Sequence, residues 1–325
     1  MVPVDARCKK GTTALMESLR HEQYNSVKAL LQDFNANPNI LDNNGISPLM
    51  QCCLDEDERA LNILLKFSPT IDVDFSNKEG ITALMMACNE NQINLVERLL
   101  EHGSNLNKTD KYGWNCLFYA IYSNASIDLI KIVIDYGIGL EAQDKEDGWN
   151  ALHLATTKPN LFKGILDYLD FRIASRQQAF NVMHSKTRLG SGLMHLAAQG
   201  GNAESLQYLI SRNDFDINET IKQTGWRPLH FACHRGHLCC VRVLIEGGAQ
   251  SHVFDDDGSS PFNIAVQMGH STIVEYFIEF QRKKNDKRFE YADSQNDSSI
   301  LVEEEDYDDI FMEVDNDGWA PVSCS

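Results

Sequence analysis

The chain has 325 residues, 43% of them hydrophobic, with nine cysteines and a formal net charge of −18. That length and apolar content support a sizeable core, while the opening residues MVPVDARCKKGTT hold no apolar run of signal-peptide length and no segment reaches the roughly 18 apolar residues of a membrane span. The charge is uneven: −11 of it lies in residues 291–325, which contain no Lys or Arg, and no offsetting basic face is visible in the body, so direct binding to nucleic acid is disfavoured.

The odd cysteine count, with Cys52 beside Cys53 and Cys239 beside Cys240, suits reduced thiols used as small core residues. The expectation is a chain of the cytoplasm, and also of the nucleus, outside any bilayer.

In chain order, residues 1–10 are a short lead-in. From Gly11 the chain repeats itself, with lead glycines Gly11, Gly45, Gly80, Gly113, Gly148, Gly190, Gly225 and Gly258 at intervals of 34, 35, 33, 35, 42, 35 and 33. After each glycine comes a related string: TALMES, SPLMQC, TALMMA, NCLFYA, NALHLA, GLMHLA, RPLHFA and SPFNIA. In the third copy Leu84, Ala87 and Cys88 share one helical face, and Leu95, Val96, Leu99 and Leu100 share another in the next segment. Gly103 reads as a left-handed cap closing the second helix, and Asn107 to Tyr112 as a polar turn. Each copy is therefore helix, turn, helix, turn, and neither helix buries its apolar stripe unless neighbours stack.

The fifth copy is longer by FRIASRQQA, Phe171 to Ala179, after its second helix. This junction is the expected weak interface of the array, and a partner-specific protrusion is the alternative reading. The seventh copy, GWRPLHFACHRGHLCCVRVLIEGGA, packs three histidines and three cysteines into one span. His230 and His234 fall on one helical face, which leaves a metal site open. The spacings C-x2-C and H-E-x-x-H are missing, however, and Cys233 and Cys240 align with Cys88 and Leu95, which are core positions. No nucleophile with an orienting base, paired carboxylates or phosphate loop stands out elsewhere, so no catalytic residues, cofactor or metal are expected.

Beyond Phe280 the pattern stops. Residues 281–290 are basic, with Arg282, Lys283, Lys284, Lys287 and Arg288, which suit a helix C-terminus or a nuclear-import segment. Residues 291–325 read as a disordered acidic tail in which Tyr307 with Ile310, and Trp319 with Val322, are candidate short recognition elements resembling the aromatic-x-x-aliphatic motif read by autophagy ubiquitin-like proteins.

The eight strings over residues 11–280 resemble the ankyrin repeat, whose signature of about 33 residues contains T-P-L-H-x-A. The resemblance implies an all-α solenoid of stacked helix pairs with β-hairpin-like loops, in which hairpin tips and first helices form a concave face that grips partner proteins. It also implies that His230 closes the N-terminus of its helix, that His237 and His270 belong to a G-H turn, and that the signature Thr and His bond each other. Here those two never share a copy: Thr13 and Thr82 accompany Met16 and Met85, while His153, His195 and His230 accompany Asn150, Gly192 and Arg227. Looser stacking is the expected consequence, with Asn150 as a substitute for the threonine.

Three of the four tryptophans, Trp114, Trp149 and Trp226, directly follow a lead glycine, and Tyr112, Tyr122, His234 and Arg235 fall in the same part of the pattern. These residue types dominate interface hot spots, so they are the candidate partner-binding set; the alternative is a row of local lids on the hairpins. Glu146, Asp147, Asp255, Asp256 and Asp257 flank the row and point to a basic or amphipathic partner segment. The expected function is a non-catalytic protein-interaction scaffold or adaptor. Alternatives are an accessory subunit of an enzyme complex, either a ubiquitin-ligase substrate receptor or a phosphatase-targeting subunit, or an inhibitor of transcription factors like that of the Rel type.

Overall fold

A computed structural model describes residues 3–67, 70–172 and 176–295, with side chains placed outside 172–179 and 285–295. Helices come in pairs. The pairs are α1 (Ala14–Arg20) with α2 (Tyr24–Gln32), α3 (Pro48–Leu54) with α4 (Glu58–Phe67), α5 (Ala83–Asn89) with α6 (Ile93–Glu101), and α7 (Cys116–Tyr122) with α8 (Ile127–Asp135). Next come α9 (Ala151–Ala155) with α10 (Pro159–Arg172), an interposed α11 (Arg176–Met183), α12 (Leu193–Gln199) with α13 (Ala203–Arg212), α14 (Pro228–Arg235) with α15 (Leu238–Glu246), and α16 (Pro261–Gln267) followed by α17 (Ser271–Gln295). Seven pairs, and α16 with α17 after it in the chain, match the eight lead glycines. First helices pack on first helices (α1, α3, α5, α7, α9, α12, α14, α16), and α2, α4 and α6, like α8, α10, α13 and α15, form the layer behind them.

Local chemistry sets where each helix starts. Thr13, Ser47, Thr82, Asn115, Asn150 and Ser260 sit in extended backbone just before a first helix, and their side-chain oxygens accept backbone N–H bonds from its first turn. Each such cap contributes about 1 kcal/mol. The stripes read from the third copy face inward, with Leu84, Ala87, Cys88, Leu95, Val96, Leu99 and Leu100 all buried. A helix of seven to nine residues is marginal alone in water; burial between neighbours holds it.

All eight lead glycines adopt the left-handed region, with φ from +69° to +91°. Space adds to the requirement: a Cβ on Gly80 would stand 2.8 Å from Asp110 Cα, and one on Gly113 would stand 2.9 Å from the Gln143 carbonyl oxygen. Three residues ahead of four of the eight lead glycines, an Asp or Asn closes the tip. Asp110 Oδ1 accepts from the Tyr112 and Trp114 amides at 2.9 and 2.8 Å, and Asn77 and Asp255 repeat the arrangement. In the first copy Cys8 takes that place, its sulfur accepting from the Lys10 amide at 3.3 Å. Successive tips are joined by backbone bonds such as Lys111 N to Glu79 O at 2.7 Å and Lys145 N to Tyr112 O at 2.8 Å. The tips form no strand among the described residues, where one isolated antiparallel bridge joins Gln143 and Asn150; they are hairpin-like turns closed both by these side chains and by backbone bonds such as Asp110 N to Trp114 O at 2.9 Å.

The long fifth copy differs from a simple appendage. Phe171 and Arg172 extend α10, and α11 buries Val182 and Met183. The His184 ring stacks between Phe180 and Phe215, with centroids 3.8 and 4.5 Å away, which ties the segment to the sixth copy. Phe171 itself is 87% exposed.

The chain divides into two compact parts at Ile273 and Val274, the first holding the stacked pairs. In the second, α17 continues through the basic segment to Gln295, past the point where the repeat pattern ends, with Tyr276 stacked on Phe280 and Lys283 paired with Glu279 one turn earlier. No described helix is long and apolar enough to cross a membrane.

Candidate partner-binding face

Trp114 and Trp226 occupy equivalent places three repeats apart and build the same platform. The Trp114 ring stacks on Phe118 (5.6 Å, 22°), meets Tyr119 edge-on (5.9 Å, 74°) and tilts against Tyr122 (5.4 Å, 58°). The Trp226 ring stacks on His230 (6.3 Å, 23°), meets Phe231 edge-on (4.9 Å, 76°) and tilts against His234 (5.3 Å, 57°). In both, the ring lies along the first helix of its own repeat, α7 or α14, on partners four, five and eight residues further on. Such offset and edge contacts are the favoured aromatic geometries, and the helical spacing of the partners delivers them.

Electrostatic supports differ between the two platforms. Asp110 Oδ2 accepts the Tyr119 hydroxyl at 2.9 Å, and burial with this carboxylate pushes the phenol well above its usual range. Lys111 pairs with Glu79 and lies over the exposed Tyr112 ring, 4.8 Å from its centroid. At the second platform the Trp226 indole N–H donates to Asp255 Oδ2 at 2.9 Å, while Asp256 and Asp257 are exposed beside it. His234 is half-buried, its pKa lowered first by burial and then by Arg235, which is exposed at the end of α14. Trp149 is half-buried between the platforms, its amide and carbonyl engaged by Asp144.

The structure thus brings Trp114 to Tyr122 and Trp226 to His234, and the indoles lie half-buried rather than as a fully exposed row. Each is both a lid on its own helix and a remaining surface. Phe118, Tyr119, Phe231 and Asp255 were missed as supports; their offsets from the lead glycine, once the repeats are registered, are the signal that finds them. Leu54 (43% exposed) and Leu189 (64% exposed) share the repeat positions of Tyr122 and Tyr112 and extend the surface. Tyr307, Ile310, Trp319 and Val322 lie outside the described residues.

The histidines and cysteines of the seventh copy are spread through the packing. Cys233 and Cys240 are buried, and burial raises the former and pushes the latter to about 12. His237 Nε2 faces the Gln199 carbonyl of the preceding repeat at 3.2 Å, and His270 Nε2 faces the His234 carbonyl at 3.1 Å. Among the described residues no three His, Cys, Asp or Glu side chains are grouped to hold a metal ion.

A model of ankyrin repeats in three copies matches residues 49–144, 95–174 and 194–288, and a single-repeat model matches residues 10–43. The chain belongs to the ankyrin-repeat family. Human transient receptor potential cation channel subfamily A member 1 is 24% identical across 96% of this chain, which spans 29% of that protein's length. The putative ankyrin repeat protein YahD of Escherichia coli is 28% identical over 44% of the chain and 73% of its own length. Among solved structures the human ASB11 ankyrin repeat domain superposes with a TM-score of 0.55 at 17% identity, covering 67% of this chain and 91% of that one. The fold is an ankyrin solenoid, and ankyrin repeats are protein-interaction modules.

The bond expected between signature Thr and His is replaced by two others. His153, His195 and His230 each accept the N-cap backbone N–H at Nδ1, from Asn150 (3.0 Å), Gly192 (3.2 Å) and Arg227 (3.1 Å). Nε2 of His153 and His195 then reaches the next repeat, at the Ser185 and Glu219 carbonyls (3.1 and 3.0 Å). Asn150 does cap its helix, through the His153 amide, and also bonds Ser185 across the junction. His230 Nε2 finds no partner; the Ser259 backbone lies close enough to favour protonation slightly but not at bonding geometry. Burial lowers all three rings to about 4.

Proposed function

We propose that this chain is a non-catalytic adaptor of the cytoplasm or nucleus that holds a partner protein against the first helices and hairpin tips, with residues 291–325 as a second, linear contact. The supporting observation is the duplicated aromatic platform. Two tryptophans are oriented by seven further side chains, yet Tyr112 (48% exposed) and Tyr122 (59% exposed) remain open beside the first. Large rigid aromatics with little conformational entropy to lose are what interface anchors require. The exposed acids Glu146, Asp147, Asp256 and Asp257 beside Trp149 and Trp226 favour a basic or amphipathic partner segment.

The test is affinity capture with the intact chain, with a Tyr112→Ala/Tyr122→Ala/Arg235→Ala version, and with a version lacking residues 296–325. These three side chains are exposed, so the fold survives their loss. Partners lost from the surface version support the reading. An unchanged partner set refutes it, and loss on truncation alone moves the function to the tail.

A further inference from the structure

We infer that the two aromatic platforms are a paired reader of one extended segment, which places an apolar side chain on the Trp114 platform and a Lys or Arg on the Trp226 platform about seven to nine residues apart. This rests on the binding face proposed above and adds the partner's chemistry and register.

The spacing follows from packing. The platforms stand on α7 and α14, and the intervening first helices α9 and α12 touch in sequence. Neighbouring packed helices lie about 8–10 Å apart, so three steps separate the platforms by about 24–30 Å. An extended chain rises about 3.3 Å per residue and spans that distance in about seven to nine residues.

An extended occupant fits better than a helical one. A helix lays a side chain on the same row every turn of about 5.4 Å and needs an apolar receiver in each repeat it crosses. The fifth repeat offers the half-buried Trp149 and Leu154, but the sixth has Ser191 and Leu196 at the corresponding places, both buried. A strand bridging two platforms needs nothing there.

The chemistry of each anchor follows from local charge. At the Trp226 platform an aromatic surface adjoins Asp255, Asp256 and Asp257, opposed by Arg235 at the far end of α14 and by the half-buried Arg227, which donates to Gln250. A ring face beside carboxylates attracts an ammonium or guanidinium by both quadrupole and charge. At the Trp114 platform the charges are already engaged: Lys111, paired with Glu79, lies over Tyr112, and Asp110 accepts from Tyr119 and two backbone amides, so an incoming cation gains little and an apolar side chain is favoured. The asymmetry gives the bound segment a defined direction.

The test uses fluorescein-labelled synthetic peptides with one Phe and one Arg in a Ser/Thr background, separated by about four, about eight or about twelve residues in both orders. Polarisation is read on the intact chain, Tyr122→Ala, and Asp256→Asn/Asp257→Asn, each checked for helix content by circular dichroism. Binding by the spacing of about eight, at least about tenfold tighter than by either other spacing and lost in both variants, is the expected result. Equal affinity at all spacings, no binding by any peptide, or indifference to the variants overturns the paired reader. If captured partners still depend on Tyr122 while the peptides show no spacing preference, the binding face stands and the paired reader falls. If neither depends on it, both fall.

Discussion

A histidine ring sealed in the array closes a helix start in its neutral form. His153, His195 and His230 are each 0% exposed and held near pKa 4 by burial, against an ordinary value of 6.5. In all three Nδ1 accepts from the N-cap, and in His153 and His195 Nε2 also donates to a carbonyl across the junction; protonation would turn the accepting nitrogen into a donor facing a donor. The sign of the pH effect follows. Between pH 6.5 and about 4 the unfolded chain binds these protons and the folded chain does not, so stability is whole above pH 6.5 and is lost as pH falls toward 4. Each ring contributes a slope of at most about 1.4 kcal/mol per pH unit within that window, or about 2 kcal/mol in all after allowing for solvent access on opening. Three such rings together remove about 6 kcal/mol by pH 4, a large share of the roughly 5–15 kcal/mol common for a domain. Urea unfolding at pH 7, 6 and 5 checks this, with His195→Gln expected to be weaker at pH 7 and to lose about one proton's worth of slope. A flat profile between pH 7 and 5 contradicts this role.

At the scale of one repeat, the turn between its two helices imposes a left-handed residue. Gly201, Gly236 and Gly269 fill that place in the last three repeats, but Glu22, Glu56, Asn91 and Asn124 fill it in the first four, with φ from +54° to +61°. Asparagine tolerates this backbone, whereas a glutamate does not do so without cost. Glu56 is exposed, so Glu56→Gly is expected to stabilise the array by about 0.5–1 kcal/mol, read as a rise in thermal midpoint; a fall would mean that the Glu56 side chain makes a contact worth more than its strain. The lead glycines, the buried stripes of α5 and α6 and the G-H turn were legible because each is a local necessity repeated in register. The role of FRIASRQQA was not: that its start extends α10, and that its end opens α11, which buries Val182 and Met183, depends on packing against the sixth repeat. Loss of the Thr–His bond was legible, but its consequence was not, because the rings close the helix through backbone N–H groups that every residue except proline carries. The tryptophan platforms were half legible. Their positions showed in sequence, whereas their burial against α7 and α14 required the register of side chains on a folded helix.

Across the whole array, stability is a sum over repeats and the contacts between neighbours, so the thinnest junction decides whether the stack unfolds as one body. That junction joins the fifth and sixth repeats. Its first helix, α9, has five residues where the others have seven or eight, and the ion pair that crosses it joins Arg212 to the half-exposed Asp170, of a kind worth little in water. A fully buried tie is His153, which closes α9 at Asn150 and reaches Ser185 beyond the insertion. Removing it by His153→Ala leaves a buried N–H and a carbonyl unsatisfied at one place, a loss of about 2–4 kcal/mol concentrated at the weakest interface. The expected outcome is a urea transition that separates into two steps, with amides of α10 to α13 exchanging with deuterium before those of α3 to α7. Ser47→Ala, which removes a cap worth about 1 kcal/mol inside a well-joined repeat, is expected to shift the midpoint and leave a single step. If His153→Ala also unfolds in one sharp transition, then α11 and the Phe180–His184–Phe215 stack bind the two halves more firmly than the short α9 implies, and the insertion acts as a clamp.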